Sequence, residues 1–141
     1  MGEKDLATLC ATIKPEMAQP VYVYCSFPDF ALPTGLSAIF TFREIEGLTA
    51  VIDLQDANRY TLPHTFKSRL ITLKVHSSLE AVGFLAVVSA HLARAGIPCN
   101  AIAGYYHDHI LVPVARADEA LTVLDGIRRS NDCPSPGNAQ D

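Results

Sequence analysis

The chain has 141 residues, of which 49% are hydrophobic and 18% are charged, and its formal net charge is −4. This balance predicts one folded domain, or two very small ones, and excludes a largely disordered chain. An acidic chain also lacks the electrostatic footprint of a general nucleic-acid binder and the basic surface that holds proteins on anionic membranes.

Two further features of the sequence concern its cellular compartment. No segment reaches the ~18 apolar residues that span a bilayer, and the charged N-terminus has no secretory hydrophobic region. We therefore expect a cytoplasmic protein. The four cysteines are scattered without a CxxC pair, so we expect four free thiols; they are Cys10, Cys25, Cys99 and Cys133.

The first half of the chain predicts a short helix followed by three strands. Asp5 is a favourable N-cap for an amphipathic helix over residues 6–13. Alternating side chains predict a strand over residues 21–27. Two more strands, over residues 38–43 and 48–52, predict a hairpin because a turn containing Gly47 separates them. A short helix over residues 53–58 and a polar linker over residues 59–68 complete this half.

The middle of the chain predicts a strand followed by a long helix. Residues 70–76 alternate, and Ser77 and Glu80 match a capping box that begins a helix. The helix is predicted to run to about Ala95, because Gly96 and Pro98 end it. Gly83 then lies inside the helix, and four side chains form its buried stripe: Val82, Leu85, Val88 and Leu92.

The end of the chain predicts a second hairpin and a last helix. Strands over residues 99–105 and 109–114 flank a tight two-residue turn at His107–Asp108, and a helix follows over residues 116–129. Residues 131–141 predict a disordered tail. The second half thus has a β-α-β-β-α order, which lacks the closing strand of a ferredoxin-like unit. A strand from the first half or from a partner chain would fill that edge.

Catalytic and metal-binding patterns are weak in this sequence. We find no G-x-S-x-G nucleophile motif and no glycine-rich phosphate loop, so we predict no enzymatic activity, no catalytic residue and no cofactor. His107 and His109 could share one side of a strand, with His76 as a third ligand of a metal-dependent enzyme. We predict no metal site, because turn chemistry explains the histidine cluster more simply.

The strand-to-helix turn at His76–Ser78 is the stronger candidate for a binding site. The first amides of a helix have no intrahelical partner, and they bind anionic groups such as carboxylates. Gly83 allows a ligand or another backbone to approach closely, and Asn100 on a neighbouring strand could face the same turn. Ordinary packing explains Gly83 equally well, and a polar strand edge explains Asn100 equally well.

The segment from Leu70 to Asn100 resembles an ACT domain. It has an early glycine in an apolar helix (Gly83), a Gly96-Ile97 turn and an asparagine on the next strand. More closely, the chain resembles small bacterial proteins built from tandem ACT-like units. The motifs that carry this resemblance are FREIEGLT (residues 42–49), VHSSLEAVG (residues 75–83) and GYYHDHI (residues 104–110).

The resemblance implies an α+β fold, a ferredoxin-like βαββαβ unit that occurs twice. Two full units need eight strands, whereas the sequence predicts six, and no long helix is found between Phe27 and Ala38. Either the first unit is degenerate, as we expect, or strands are exchanged between the halves. The implied domains are residues 1–66 (degenerate unit), 67–130 (ACT-like unit) and 131–141 (tail). The implied ligand-binding residues are His76, Ser77, Ser78, Leu79, Gly83, Asn100, Ala101 and Ile102. The chain has a histidine at position 76, where many ligand-binding ACT units place an acidic or amide residue.

The sequence therefore predicts a non-enzymatic regulatory module. It is expected to bind an amino acid or a related small metabolite at an interface between ACT units, and to form a homodimer or a larger homo-oligomer without nucleic acid or membrane partners. One alternative is a protein-interaction or assembly module that has no ligand. The other is the histidine-based metal-dependent enzyme.

Overall fold

A computed structural model describes residues 2–75 and 78–129 of the chain. The chain divides into two compact units. Unit A comprises residues 2–18 and 70–129, and unit B comprises residues 19–69. The elements, in chain order, are α1 Leu6–Thr12, β1 Pro15–Phe27, β2 Phe40–Arg43, β3 Leu48–Asp53, α2 Leu54–Arg59, β4 Thr65–Leu73, α3 Phe84–Arg94, β5 Asn100–Ala103, β6 Asp108–Pro113 and α4 Ala117–Arg129, with a 3₁₀ turn at Val114–Arg116.

Unit B is an antiparallel sheet with one short helix. Its sheet order is β2, β3, the second part of β1 and the first part of β4. Tyr22 to Phe27 of β1 pair with Asp53 to Leu48 of β3, and residues 28–39 form no helix. The predicted degenerate first unit is therefore confirmed. Its core consists of Val23, Cys25, Phe27, Leu36, Ala50, Ile52 and Ala57.

Unit A contains the complete ferredoxin-like set of strands. Its sheet order is the first part of β1, the second part of β4, β6 and β5. The backbone amide of Lys74 donates to the carbonyl of Lys14 (2.8 Å), next to residues 15–18, which act as the closing strand. Of the two sources that the sequence left open for this edge, the first half of the chain supplies the strand. The core joins α1, α3 and α4 to the sheet through residues such as Leu9, Ile71, Leu92, Ile110 and Leu124.

Helix α3 begins later than the sequence predicts. Gly83 is its N-cap, in the left-handed conformation (φ 90°), and Phe84 is the first helical residue. A left-handed residue cannot continue a right-handed helix, so the predicted start at a capping box is wrong. Val82, predicted to be buried, is 82% exposed, and Phe84 takes its place in the core. Of the rest of the predicted stripe, Val88 and Leu92 are buried, and Leu85 is half-buried.

The ends of two other elements also differ from expectation. β5 and β6 are joined by residues 104–107, whose ends are linked by a bond from the Gly104 amide to the His107 carbonyl (2.9 Å). Asp108 is therefore the first residue of β6, and the predicted turn at His107–Asp108 is wrong. The predicted linker over residues 59–68 is wrong from Thr65 onward, because β4 already begins there.

The start of α1, the end of α3 and the buried face of α4 follow the prediction. Asp5 caps α1 by accepting a bond from the Thr8 amide. Gly96 ends α3 with φ 73°, where the amide of Ile97 donates to the carbonyl of Leu92 (2.9 Å). The buried residues of α4 are Ala117, Ala120, Leu124 and Ile127, as the periodicity predicts.

Three remaining predictions concern the cysteines, the C-terminal tail and the domain boundaries. Cys25 and Cys99 are free, but Cys10 is disulfide-bonded, so the prediction of four free thiols is wrong at Cys10. Disulfides join cysteines that folding brings together, which their spacing in the sequence does not show. Cys133 and the predicted tail lie outside the described residues, and the domain boundaries at residues 66 and 130 stay predictions. Among the described helices, none is long and apolar enough to cross a bilayer.

Candidate functional site

A cavity of about 180 Å³ lies in unit A at the start of α3. One wall is the turn that precedes the helix, the second is the first turn of α3, and the third is the base of the β5–β6 hairpin. The lining residues are Ser78, Leu79, Ala81, Gly83, Phe84, Leu85, Ala86, Ala103 and Asp108.

The turn before α3 is held by its own backbone and by the N-terminal segment. The Ser78 hydroxyl accepts a bond from the Glu80 amide (3.1 Å), and the Ala81 amide donates to the Ser78 carbonyl (3.0 Å). The Ser78 amide donates to the carbonyl of Glu3 (2.8 Å), and Lys4 forms an ion pair with Glu80 (2.8 Å). These contacts fix one wall of the cavity.

The first turn of α3 supplies donors to the cavity. The first bond of the helix runs from the Val87 amide to the Gly83 carbonyl (3.0 Å), so Phe84, Leu85 and Ala86 precede it and have no intrahelical acceptor for their amides. All three residues line the cavity, and among residues 2–75 and 78–129 no side chain caps the helix at Gly83. The positive end of the helix dipole therefore favours an anionic group at this wall.

Asp108 is a lining residue that the sequence analysis missed. It pairs with Ala103 at the base of the hairpin, and the residue is only 8% exposed. Alternation places Asp108 on the same face of β6 as Ile110, a core residue that packs under the helices. The sequence contains a signal for this placement, because positions 108, 110 and 112 of one strand lie on the same face. The signal applies to Asp108 only if the strand begins there, whereas the predicted strand begins at residue 109.

The cavity unites some of the predicted ligand-binding residues and not others. Ser78, Leu79 and Gly83 line it. His76 and Ser77 lie outside the described residues. On β5, Ala103 lines the cavity, whereas the predicted Asn100, Ala101 and Ile102 do not. Asn100 pairs with Leu111 and Ile102 pairs with His109, on the opposite face of the hairpin from Ala103 and Asp108.

The two histidines of the hairpin have separate partners. His107 Nδ1 lies 3.4 Å from the carbonyl oxygen of Val75, and His109 Nδ1 lies 2.9 Å from the hydroxyl of Thr72. Burial, with smaller contributions from His107 and Lys74, lowers the pKa of His109, and Asp108 acts in the opposite direction. Within residues 2–75 and 78–129, no three His, Cys, Asp or Glu side chains are grouped so that they could hold a metal ion.

Exposed apolar side chains occur on two of the segments that form the cavity. Leu79 and Val82, in the segment before α3, are 66% and 82% exposed. Tyr105 and Tyr106, in the loop between Ala103 and Asp108, are 74% and 63% exposed, and their rings meet edge-on with centroids 4.9 Å apart. Large exposed apolar groups on monomers mark interaction surfaces when they cluster.

Comparison with family models identifies two ACT domains in the chain. One ACT domain model matches residues 1–69, and a second matches residues 65–125. No curated protein sequence matches the chain.

Solved structures show the same fold. A Vibrio cholerae protein of unknown function, described as a possible transport protein, is 41% identical; the match covers 91% of this chain and 99% of that one, with a TM-score of 0.78. Aspartokinase alpha and beta subunits match at 10% identity over 84% of this chain and 100% of that one, with a TM-score of 0.67. The regulatory subunit of aspartate kinase from Thermus flavus matches at 8% identity over 82% of this chain and 95% of that one, with a TM-score of 0.57.

Proposed function

This chain belongs to the ACT domain family, and we propose that it is a non-enzymatic regulatory module that binds an amino acid or a related small metabolite in the cavity of unit A. The observation that carries this proposal is the set of three α3 amides, at Phe84, Leu85 and Ala86, that line a cavity without a capping side chain. A ligand carboxylate would accept from these amides and lie at the positive end of the helix.

The size of the cavity supports a small ligand. Drug-sized ligands occupy pockets of roughly 300–1,000 Å³, whereas this cavity measures about 180 Å³. An amino acid with a short side chain therefore suits the site better than a nucleotide does. The regulatory subunits of aspartate kinase share the fold, which is consistent with a regulatory role for this chain.

A second copy of the chain completes the proposed site. Leu79 lines the cavity and is exposed, and Tyr105 and Tyr106 extend from its hairpin wall. Burial of these side chains against another ACT unit would favour a homodimer or larger homo-oligomer and would close the cavity over the ligand. Ligand occupancy would then change the association or orientation of the copies, because coupling requires only a difference in affinity between the two states.

The direct test is a thermal-shift screen of the full chain against each of the twenty amino acids, with sedimentation velocity on every compound that binds. A ligand present at 100 times its Kd stabilises the folded state by about 2.7 kcal/mol. We expect one or a few small amino acids to raise the Tm and to change the sedimentation coefficient. A chain that forms oligomers but responds to no compound would instead be an assembly module, as its exposed apolar side chains would also allow.

Two glycines of α3 provide a matched pair of variants for this test. Gly83 and Gly96 both have positive φ, and an added Cβ would find only Leu6 at 3.5 Å in the first case and no atom within 4 Å in the second. Gly83→Ala and Gly96→Ala should therefore each cost about 1–2 kcal/mol of strain. Only Gly83→Ala disturbs the cavity wall, so we expect it alone to lose the ligand-induced rise in Tm. Equal loss in both variants would contradict the assignment of the site.

A further inference from the structure

We propose that the loop of residues 44–47 in unit B docks in a groove on unit A of a second copy of this chain. The groove is separate from the cavity at the start of α3, so this inference does not rest on the proposed function. The loop exposes an isoleucine between two glutamates, and the groove combines apolar side chains with two cations.

The loop between β2 and β3 presents an apolar side chain to solvent. Ile45 is 95% exposed, more than any other large hydrophobic side chain among residues 2–75 and 78–129. Phe42, on the adjoining strand, is 61% exposed. Exposed apolar side chains at neighbouring positions are typical of interaction surfaces.

The loop is held in one shape by contacts at both of its ends. The Glu44 amide donates to the Gly47 carbonyl (2.9 Å), and the Thr49 hydroxyl donates to the Glu44 carboxylate. Gly47 lies against backbone, since a Cβ there would be 2.7 Å from the carbonyl oxygen of Phe27. A preorganised loop loses little conformational entropy on binding, which favours its use as a docking element.

The groove lies on unit A and measures about 500 Å³. Its lining residues come from the start of β1 and from one face of α4, and they are Lys14, Pro15, Leu121, Thr122, Asp125 and Arg128. Binding pockets commonly measure roughly 300–1,000 Å³, so the groove has room for an isoleucine side chain and the main chain beside it. Pro15 and Leu121 are half-buried and supply its apolar wall.

Cations outnumber anions in this groove. Asp125 forms ion pairs with both Arg128 and Arg129, so its charge is compensated within α4. Lys14 is exposed and forms no ion pair with another described residue. The groove therefore attracts a partner that carries negative charge.

The loop supplies the opposite charge around its apolar residue. Two carboxylates flank Ile45, and that of Glu46 forms no ion pair with another described residue. Insertion of Ile45 beside Leu121 would bury apolar surface and would bring Glu46 to Lys14. An apolar centre with a charged rim of complementary sign is the usual anatomy of a specific protein interface.

The first test is zero-length cross-linking of the full chain with a carbodiimide, which joins an ammonium to a carboxylate that it contacts. Chain labelled with ¹⁵N is incubated with an equal amount of unlabelled chain, treated, digested and analysed by mass spectrometry. We expect a cross-link from Lys14 to Glu46, with mixed pairs of labelled and unlabelled peptides as frequent as unmixed pairs. Absence of this cross-link, or only unmixed pairs, would overturn the inference.

A matched pair of variants tests the apolar part of the contact. Ile45→Ala should lower the yield of the mixed Lys14–Glu46 cross-link about tenfold, because it removes the side chain that the groove buries. Ile39→Ala makes the same substitution in the same unit, at a residue that is 48% exposed and lies outside the loop, and it should keep the yield. Equal yields in both variants would contradict a role for Ile45.

Charge reversal tests the electrostatic part. Labelled Glu46→Lys and unlabelled Lys14→Glu should each give no link between positions 14 and 46 when treated alone, because like charges then face each other. An equal mixture of the two variants should restore the link, now only between a labelled and an unlabelled peptide. A mixture that gives no link would overturn the inference.

These outcomes are independent of the proposed ligand. A chain that responds to amino acids but gives no cross-link would keep the proposed function and lose this inference. A chain that gives the cross-link but responds to no amino acid would keep this inference and lose the proposed function. The experiment on wild-type protein decides the matter even if a variant does not fold.

Discussion

The two units have matching hairpins and different segments before them. In the β2–β3 hairpin, Phe40 pairs with Val51 and Arg43 pairs with Leu48. In the β5–β6 hairpin, Asn100 pairs with Leu111 and Ala103 pairs with Asp108, so each matched position has a residue number higher by 60. Each loop is closed by the same bond between its first amide and its last carbonyl, at 2.9 Å from Glu44 to Gly47 and 2.9 Å from Gly104 to His107. Val51 and Leu111 are both fully buried.

The segments before the hairpins are where the units diverge. Residues 28–39 of unit B form a loop, whereas residues 74–99 of unit A contain α3. The hairpin is therefore the part that both units share, and α3 is the part that contributes a wall to the cavity of unit A. Under the proposed function, the ligand-binding site of unit A therefore depends on the presence of α3.

The largest expected effect on stability comes from truncating a buried side chain of α3. Leu92 is fully buried in the core of unit A, so Leu92→Ala should lower the free energy of unfolding by about 2–5 kcal/mol. Val82→Ala is the matched control, because Val82 is 82% exposed and should change stability by no more than about 0.5 kcal/mol. Urea denaturation followed by circular dichroism measures both. A large loss in Val82→Ala would mean that the helix begins earlier than Phe84.

A smaller effect is expected at the hairpin loop of unit B. A Cβ at Gly47 would lie 2.7 Å from the carbonyl oxygen of Phe27 and 3.2 Å from Cα of Pro28, both backbone atoms. Gly47→Ala should therefore cost about 1–3 kcal/mol.

The control for this substitution should change the stability of the protein in the opposite direction. Gly126 lies inside α4, and an added Cβ there would meet no atom within 4 Å. Gly126→Ala should therefore stabilise the protein by about 0.5–1 kcal/mol, because alanine favours a helix interior over glycine. The same urea denaturation measures both variants, and stabilisation by Gly47→Ala would show that the loop tolerates a side chain.

The smallest effect concerns pH and the matched positions Thr49 and His109. Since burial lowers the pKa of His109 below 6.5, the folded chain binds fewer protons than the unfolded chain as the pH falls below that value. The stability associated with neutral His109 is therefore complete above pH 6.5 and declines at lower pH. His109→Thr introduces the residue found in unit B and should flatten this part of the stability profile, measured by urea denaturation from pH 7.5 to 5. An unchanged slope would contradict the assignment to His109.

The elements of the fold could be predicted from the sequence where one local signal was decisive. The start of α1 is set by Asp5, the end of α3 by Gly96, and the buried face of α4 by its apolar periodicity. The structure agrees with the prediction at all three. The start of α3 could not be predicted in this way because two local signals compete. The Ser77–Glu80 spacing favours an early start, but Gly83 adopts a left-handed backbone conformation that ends the preceding turn.

The candidate site was predictable in part for the same reason. Ser78, Leu79 and Gly83 are neighbours in the sequence, so a single turn brings them to the cavity. Asp108 comes from a hairpin that packs beside this turn only after the sheet has formed, and a shift of one residue in the predicted turn removed it from consideration. Asn100 is the opposite case, a residue that was predicted to belong to the site and does not. Its position on β5 places it on the face away from the cavity.

Strands β1 and β4 each contribute residues to both units, with Pro15–Ala18 and Leu70–Leu73 in unit A and Gln19–Phe27 and Thr65–Arg69 in unit B. A single cut near the centre of the chain therefore cannot yield two fragments that each contain a complete unit. A fragment that ends at Arg69 would keep α1 and β1 but lose most of the core that α1 joins, and the complementary fragment would lack its closing strand.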